Sequence, residues 1–487
     1  MIGTQSRTWF TEQLLTHVGL VVCVLVVALH MWGALTGSEL DDESLFFASA
    51  WRMAYSSSWL SEFQKFGAVN YPLHLLWQVV AVKVFGAAFG IHRLFAFLFT
   101  VGGMVLLAVG ANRLKILKGW RQTLFFLLMG FLSASVFSAA TRTRPECLTI
   151  LICGLLAFSY SLQKWRGICV AACSFLLPWC GPNIAFAVGL LIGVAWLFFR
   201  FPVRWVLIPA CAMMCSMIIF VMSYRCLGLL DGYFEFTQFN SRQFPSCLVN
   251  PMFYLAHPQF CVTLFCGALL PLPFCLGLLQ RQTGFCRKEV CCGLTGAVTS
   301  FIALMCCGGS GLVCLYYLFV PWLALAVSLA ICVPVTTKRV PHSQKYVMGA
   351  ILFGAVLLSG GYFGRFVNRF YMAPSRIAED TYLAWCEAMV RKEDVVLSNL
   401  PVHGLLPIAK KVTYDHVNLQ ALKSSARRDQ TEDTVILRAD NSVEASLDIE
   451  GTWQEQMPPL IGTVPRWGAK TKERIVYHAY RRIEETR

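Results

Sequence analysis

Through most of the chain, long apolar runs alternate with short polar stretches; beyond Phe363 that pattern gives way to intermingled charged and apolar residues. A helix that crosses a bilayer needs roughly 20 largely apolar residues. Runs of that character, with helix ends extending a few residues past each, occupy Leu14–Leu35, Leu94–Val109, Leu124–Ala140, Leu148–Leu162, Ile168–Cys180, Ile184–Phe199 and Val206–Met222. Four more follow at Phe260–Leu279, Val290–Cys307, Leu312–Val333 and Tyr346–Phe363. The pattern predicts a polytopic α-helical membrane protein with about 11 transmembrane helices.

Two segments test that reading. Tyr71–Phe89 is apolar enough to span but carries His74, Gln78 and Lys83 and has Gly86 near its end, so it is expected to lie as an amphipathic helix at the outer interface. Around Pro178, Gly181 and Pro182 the two runs are short, and a re-entrant hairpin is the alternative to two crossings. Losing both leaves the sidedness of all later segments unchanged. After Gly364, roughly 120 residues of nearly balanced charge suit one small domain. In it Ile377–Met389 has helical spacing, whereas Val395–Leu397, Val412–Tyr414, Thr434–Leu437 and Ile475–Tyr480 read as short strands. Residues 1–363 are therefore expected to form the transmembrane domain, with a first external loop over 36–92, and residues 364–487 a small extracytoplasmic α/β domain.

Composition supports the membrane assignment: 56% of residues are hydrophobic and 14% charged, too little polar surface for a soluble fold of this length. The formal charge of +14 is spread between apolar runs and not gathered into one patch, so a nucleic-acid partner is not expected. Arginines and lysines next to spans mark the cytoplasmic side. They gather in alternate loops, at Arg113, Lys115, Lys118 and Arg121, at Lys164 and Arg166, at Arg200 and Arg204, at Arg281, Arg287 and Lys288, and at Lys338, Arg339 and Lys345. With these inside, the N-terminus is cytoplasmic, the tail is external, and every acidic residue before Gly364 except Glu12 and Glu289 faces out. Leu14–Leu35 exceeds a signal-peptide core and lacks a clear small-residue cleavage site, so it is read as a retained helix. Most of the 21 cysteines lie within apolar runs and read as small hydrophobes. No metal site is expected from Cys291 and Cys292, which have no histidines at zinc-ligand spacing.

The first external loop is long and opens on Glu39, Leu40, Asp41, Asp42 and Glu43. Three adjacent carboxylates repel one another, so one of them is a candidate to hold its proton more tightly and to act as a general base; the alternative is a solvated acidic flank. Arg142 and Arg144, followed by Pro145 and Glu146, lie in a short external turn where basic residues are otherwise scarce. Arginine binds phosphate in a fork, and snorkelling to lipid headgroups is the alternative. The outer stretch from Arg225 to His257 adds Asp231, Glu235, Arg242 and many aromatics, which suit either an interfacial belt or stacking against a sugar. A transporter or flippase is the rival function, yet the spans carry almost no charge at mid-membrane, where transporters place ionisable groups.

Asp42, Glu43, Ser44, Leu45, Phe46 and Phe47, then Trp51, Arg52 and Met53, then Ser58, Trp59 and Leu60 resemble the first-loop signature of GT-C glycosyltransferases. The likeness is to the branch of protein O-mannosyltransferases and of the aminoarabinose transferases that modify lipid A. Tyr71, Pro72 and Leu73, then Trp77, Phe85, Gly86, Arg93 and Leu94, resemble the next element of that branch, and Arg144, Pro145 and Glu146 resemble its turn before the fourth helix. Asn70 and Tyr71 stand where the branch usually has His or Lys and a first Pro. The resemblance covers about residues 38–165. It implies inverting transfer of a sugar from a polyprenyl-phosphate-linked donor to a lipid, glycan or protein acceptor. Asp42 would be the base and Glu43 its orienting partner, Arg93, Arg142, Arg144 and Arg242 would meet the donor phosphate, and Tyr71, Pro72 and His74 would form the substrate loop. It implies no cofactor; adjacent Asp41, Asp42 and Glu43 offer hard oxygen ligands but not a convergent cation site. A bacterial inner membrane is the expected location, with the endoplasmic reticulum as the alternative.

Overall fold

The structure, a computed structural model, describes residues 2–36, 41–55, 63, 70–86, 88–117, 119–131, 134–243, 252, 295, 298–299, 302, 379–398, 402, 404–414, 434–440, 453–465 and 472–482. The chain divides into two compact units: Met1–Ala34, Asn70–Pro72 and Leu94–Phe363 form one, and Leu35–Val69, Leu73–Arg93 and Gly364–Arg487 the other.

In the first unit, each apolar run read from the sequence up to Met222 is helical. The helices are α1 (Ile2–Thr36), α4 (Phe89–Arg113) from Leu94 onwards, α5 (Gly119–Phe131), α6 (Ala134–Thr141), α7 (Pro145–Tyr160), α8 (Arg166–Cys180), α9 (Pro182–Phe199), α10 (Arg204–Cys226) and α11 (Leu230–Gln243). The expected third span, Leu124–Ala140, is described as the two helices α5 and α6. Among the described residues four segments are long and apolar enough to cross a membrane, His17–Leu35, Gly90–Arg113, Pro182–Phe199 and Arg204–Cys226, while α7 and α8 are apolar but shorter. The last four spans expected from the sequence, between Phe260 and Phe363, lie outside the described residues apart from 295, 298–299 and 302.

Small residues let two of these helices touch backbone to backbone. A Cβ added to Gly103 of α4 would stand 2.5 Å from the Ile150 carbonyl oxygen of α7, and one at Gly110 would stand 2.8 Å from that of Ala157. Gly154 of α7 meets the Gly103 carbonyl in return. Such close approach gives helices in lipid the dispersion contacts that water-driven burial cannot supply there. The α8–α9 connection turns at Gly181, whose φ of 148° suits glycine, and Pro182 opens α9 at the position where a missing N–H costs nothing. Near the end of α8 the Trp179 indole N–H donates to Ser216 Oγ at 3.1 Å, and that hydroxyl donates to the Phe175 carbonyl at 2.5 Å, tying α8 to α10.

The second unit joins the first loop to the tail. Its helices are α2 (Asp41–Tyr55), α3 (Pro72–Phe85) from Leu73 onwards, the first turn of α4, and α12 (Glu379–Met389). At 14 residues, α3 is about 21 Å long and falls short of a hydrocarbon core of about 30 Å. The strands β1 (Val395–Ser398), β2 (Lys411–Tyr414), β3 (Thr434–Asp440), β4 (Trp453–Pro465) and β5 (Lys472–Arg482) make one sheet in the order β2-β1-β3-β5-β4. β1 runs parallel to β2 and β3, and β5 antiparallel to β3 and β4. Alternation divides β5 between two faces. Tyr477 meets Tyr382 and Trp385 of α12, with ring centroids 5.8 and 6.3 Å apart, while Tyr480 packs with Leu397, Ile436 and Trp453. The strand β4 was not expected: it contains Pro458 and Pro459, and its register with β5 shifts between Gln456 and Leu460. As an edge strand with an irregularity at that point, it tolerates residues that cannot donate to the ladder. The opposite edge strand, β2, is packed against by α2, which shields a strand edge that would otherwise be open to pairing.

Candidate active site

The helix α2 begins on the acidic run, with Asp41, Asp42 and Glu43 as its first residues. Carboxylates suit that position, because the first turn exposes backbone N–H groups and the positive end of the helix dipole. Glu43 turns inward and is fully buried. It meets Arg93 from the first turn of α4: the Arg93 Nε donates to Glu43 Oε1 at 3.0 Å and Nη2 to Oε2 at 2.5 Å. Arg93 is only 1% exposed. A two-bond fork between opposite charges is the geometry in which a buried pair best offsets its desolvation. It also compensates the negative charge of Glu43, so the mutual repulsion expected among the three carboxylates is reduced beside Asp42.

The wall around this pair is aromatic. Phe46 and Phe47, three and four residues after Glu43, point from α2 into the same interior. Phe46 takes the His74 ring edge-on at 5.3 Å, and Phe47 takes the His92 ring at 4.9 Å. Trp51 continues the row, 6.4 Å from Phe47 and 4.8 Å from Tyr55. His74 and Gln78, one turn apart on α3, are both buried. His92 Nε2 lies 3.0 Å from the carbonyl oxygen of Gly86; since a carbonyl only accepts, Nε2 carries the proton. Gly86 sits at φ 62°, and its N–H donates to the Val82 carbonyl at 2.8 Å, closing the end of α3.

Of the residues singled out in the sequence, Asp42, Glu43, His74 and Arg93 thus belong to one unit, and Glu43 and Arg93 touch. Tyr71 and Pro72 belong to the other, where Tyr71 packs beside Gly181 at the α8–α9 turn, 3.3 Å from the place a Cβ would take. Arg144 is the residue before α7, in extended conformation, with Pro145 opening the helix. Its Nη2 pairs with Glu146 Oε1 at 3.1 Å, and its own N–H donates to the Arg142 carbonyl at 3.0 Å. This turn is largely buried, with the two paired side chains 25% and 10% exposed. Arg242 lies in the last turn of α11. That helix is held by an aromatic cluster in which Tyr233 meets Phe220 at 5.9 Å and Tyr224 at 6.1 Å, and Phe220 stacks on Tyr224 at 4.1 Å. Among the described residues no group of three His, Cys, Asp or Glu side chains is placed to hold a metal ion.

The sequence reading did not single out His92 or its contact with Phe47. The signal was present in a weak form: Phe47 is four residues from Glu43, hence on the same helix face, and His92 adjoins Arg93.

No protein-family model and no curated protein matches this sequence. Solved structures do. The apo structure of ArnT from Cupriavidus metallidurans superposes with a TM-score of 0.50 at 12% identity, over 94% of this chain and 97% of that one. The same protein bound to undecaprenyl phosphate gives 0.52 at 13% identity, over 95% and 98%. At such identity the likeness is one of fold: this chain shares the fold of ArnT, and its long apolar helices mark it as an integral membrane protein.

Proposed function

We propose that this chain is a membrane glycosyltransferase that moves a sugar from a polyprenyl-phosphate-linked donor to an acceptor hydroxyl on the extracytoplasmic face. The observation that carries the reading is the start of α2, where Asp42 stands next to a Glu43 that is locked by Arg93, on a fold shared with a protein that has been seen holding undecaprenyl phosphate. Asp42 takes the proton of the acceptor hydroxyl as that oxygen bonds to the sugar's anomeric carbon from the face opposite the phosphate. The bond from that carbon to the phosphate oxygen breaks, the configuration inverts, and polyprenyl phosphate departs with its electron pair. Glu43 keeps α2 in register through Arg93. Arg93 contributes charge, whereas Arg142, Arg144 and Arg242 are the groups assigned to the departing phosphate. The resemblance assigns Tyr71, Pro72 and His74 to the substrate loop.

Sidedness supports this arrangement. The packing of α2 against β2 of the tail supports a topology with the first loop and the tail on one side of the membrane, which requires an even number of crossings between them. That parity agrees with about 11 spans in total, of which ten follow α2, and with α3 lying at the interface. With the basic loops inside, the shared side is the outer one, the tail is extracytoplasmic, and lipid-borne sugars at the headgroup level are within reach of Asp42. A bacterial inner membrane fits this donor class.

The test is a transfer assay with purified chain in lipid nanodiscs, supplied with undecaprenyl-phosphate sugars of several kinds and with a bacterial envelope lipid, glycan and protein extract as the source of acceptor hydroxyls, and read by mass spectrometry as release of undecaprenyl phosphate together with glycosylated acceptor. Asp42→Asn should slow release by about 100-fold or more. Release at the wild-type rate in that variant would remove Asp42 from the chemistry.

A further inference from the structure

We infer that His92 is a positioning residue for the helix that carries Asp42. This deepens the function proposed above and rests on it for the link to catalysis. The first turn of α4 presents two successive residues to α2, and each meets a different turn of it. Arg93 grips Glu43, while the His92 ring stands edge-on to Phe47 with centroids 4.9 Å apart and planes at 80°. Glu43 and Phe47 are one helical turn apart, so the two contacts fix both the height and the rotation of α2 about its own axis. Phe46 against His74 of α3 holds a neighbouring position of the helix; the His92 contact adds a hold from α4 one turn beyond the ion pair, on the face that carries Phe47.

His92 is itself held from the other side. Its Nε2–H donates to the Gly86 carbonyl at 3.0 Å, at the left-handed residue that closes α3. One buried imidazole therefore ties together the end of α3, the start of α4 and the second turn of α2. Neither an aliphatic nor a phenyl side chain can do this. Leucine has no ring edge for Phe47, and phenylalanine would leave the Gly86 carbonyl without its donor. Placing a polar ring in so apolar a setting, with Phe47 fully buried and His92 2% exposed, is costly unless its donor is used. Asp42 immediately precedes Glu43 at the end of α2, so a swivel of this helix moves the carboxylate assigned to the base. A displacement of about 1 Å at a reacting group is enough to cost up to about 100-fold in rate.

Hydrogen exchange on the full-length protein, followed by mass spectrometry with peptides from 41–55, tests the inference without any need for activity. In His92→Ala, amides of α2 should exchange about 10-fold faster than in the wild type, and in His92→Phe by a smaller factor, while peptides from β3 and β5 stay unchanged. Unchanged exchange over 41–55 in both variants overturns the inference. So does a uniform rise across α2, β3 and β5, since that would mean general destabilisation. In the transfer assay, His92→Ala should lower kcat by about 10-fold or more while the donor KM stays within about twofold. A wild-type kcat in His92→Ala, where Asp42→Asn is inactive, would overturn the inference alone. Faster α2 exchange in a protein whose wild type transfers no sugar would uphold the role of His92 in holding α2 and reject the proposed function instead.

Discussion

Among the described residues of the second unit two forks join a buried carboxylate to an arginine, and they differ in what surrounds them. In the tail, Asp394 accepts from Arg481 Nη1 and Nη2 at 2.7 Å each, and its Oδ2 also accepts the N–H of Arg391 at 2.6 Å. Arg481 then donates to the Met389 carbonyl at 3.2 Å. Every contact here stays within the same small domain: the fork joins the turn after α12 to β5, and its two further bonds go to backbone groups of Arg391 and of Met389, the last residue of α12. The Glu43–Arg93 fork is more deeply buried, its arginine 1% exposed against 18% for Arg481; it joins two helices, and the residue before Glu43 is a second carboxylate at a helix start. The first fork closes a turn; the second orients a helix end that has acidic chemistry to spare. Burial and bidentate geometry are common to both, so neither property by itself identifies a site.

The sharpest way to break the comparison is to remove each arginine. Arg93→Leu and Arg481→Leu both leave a carboxylate buried without its cation, and each should lower stability by about 3–5 kcal/mol. They should part company in the transfer assay. Per folded molecule, Arg93→Leu should lose about 100-fold in rate because α2 is released, while Arg481→Leu should transfer at the wild-type rate. If Arg481→Leu lost transfer to the same extent as Arg93→Leu at equal folded fraction, the tail fork would belong to the site and the distinction drawn between them would fail.

These two forks also show what the sequence could reveal. Apolar periodicity located the described helices up to Met222 except α2, which falls in the stretch read as the first external loop, and four of the five described tail strands, because burial in lipid or in a sheet writes itself into residue order. It did not locate β4: Pro458 and Pro459 argue against a strand unless one knows that the segment lies at a sheet edge with a register shift. The acidic run, Arg93 and the Arg144 turn were legible as residue types in suspicious places. The pairing of Glu43 with Arg93 across 50 residues was not, nor that of Asp394 with Arg481 across 87. Partner choice at that separation is decided by how helices and strands assemble, and a single sequence records no such distances. The fold supplied the pairs, and the pairs changed the chemistry: Glu43 moved from a rival carboxylate of Asp42 to a neutralised support for it.

If the tail is scaffold, its cysteine should be inert, and Cys386 allows that to be measured. Burial in α12 pushes its thiol up to about 12 from the usual 9.0, with a hydrogen bond from Tyr382 opposing and the charge of Glu387 adding to the shift. In the unfolded chain the thiol ionises near its ordinary value. The folded state therefore holds its proton longer, and the stabilisation is complete below pH 9 and declines as pH rises towards 12. The slope should be up to about 1.4 kcal/mol per pH unit, and Cys386→Ala should show a shallower decline over the same window in thermal melts. Maleimide labelling of the folded protein near pH 7 should be negligible at this thiol. Rapid modification of Cys386 in the folded protein would mark a reactive group in a region assigned to support.

The smallest effect expected concerns the neighbouring residue, and it asks whether the irregular edge strand matters to the chemistry at all. The Trp385 indole N–H donates to the Pro458 carbonyl at 3.1 Å, fastening α12 to the part of β4 where the register shifts. Trp385→Phe keeps the aromatic contact with Tyr477 but removes that donor, and Pro458 is exposed, so water can take its place at the carbonyl. The loss should therefore be about 0.5–1.5 kcal/mol in the tail's stability, with transfer per folded molecule unchanged. A scaffold transmits such a change only as a shift in how much protein is folded. Were the variant to alter kcat at constant folded fraction, the far edge of the sheet would be coupled to α2 through β2, and the tail would have to be regarded as part of the catalytic apparatus.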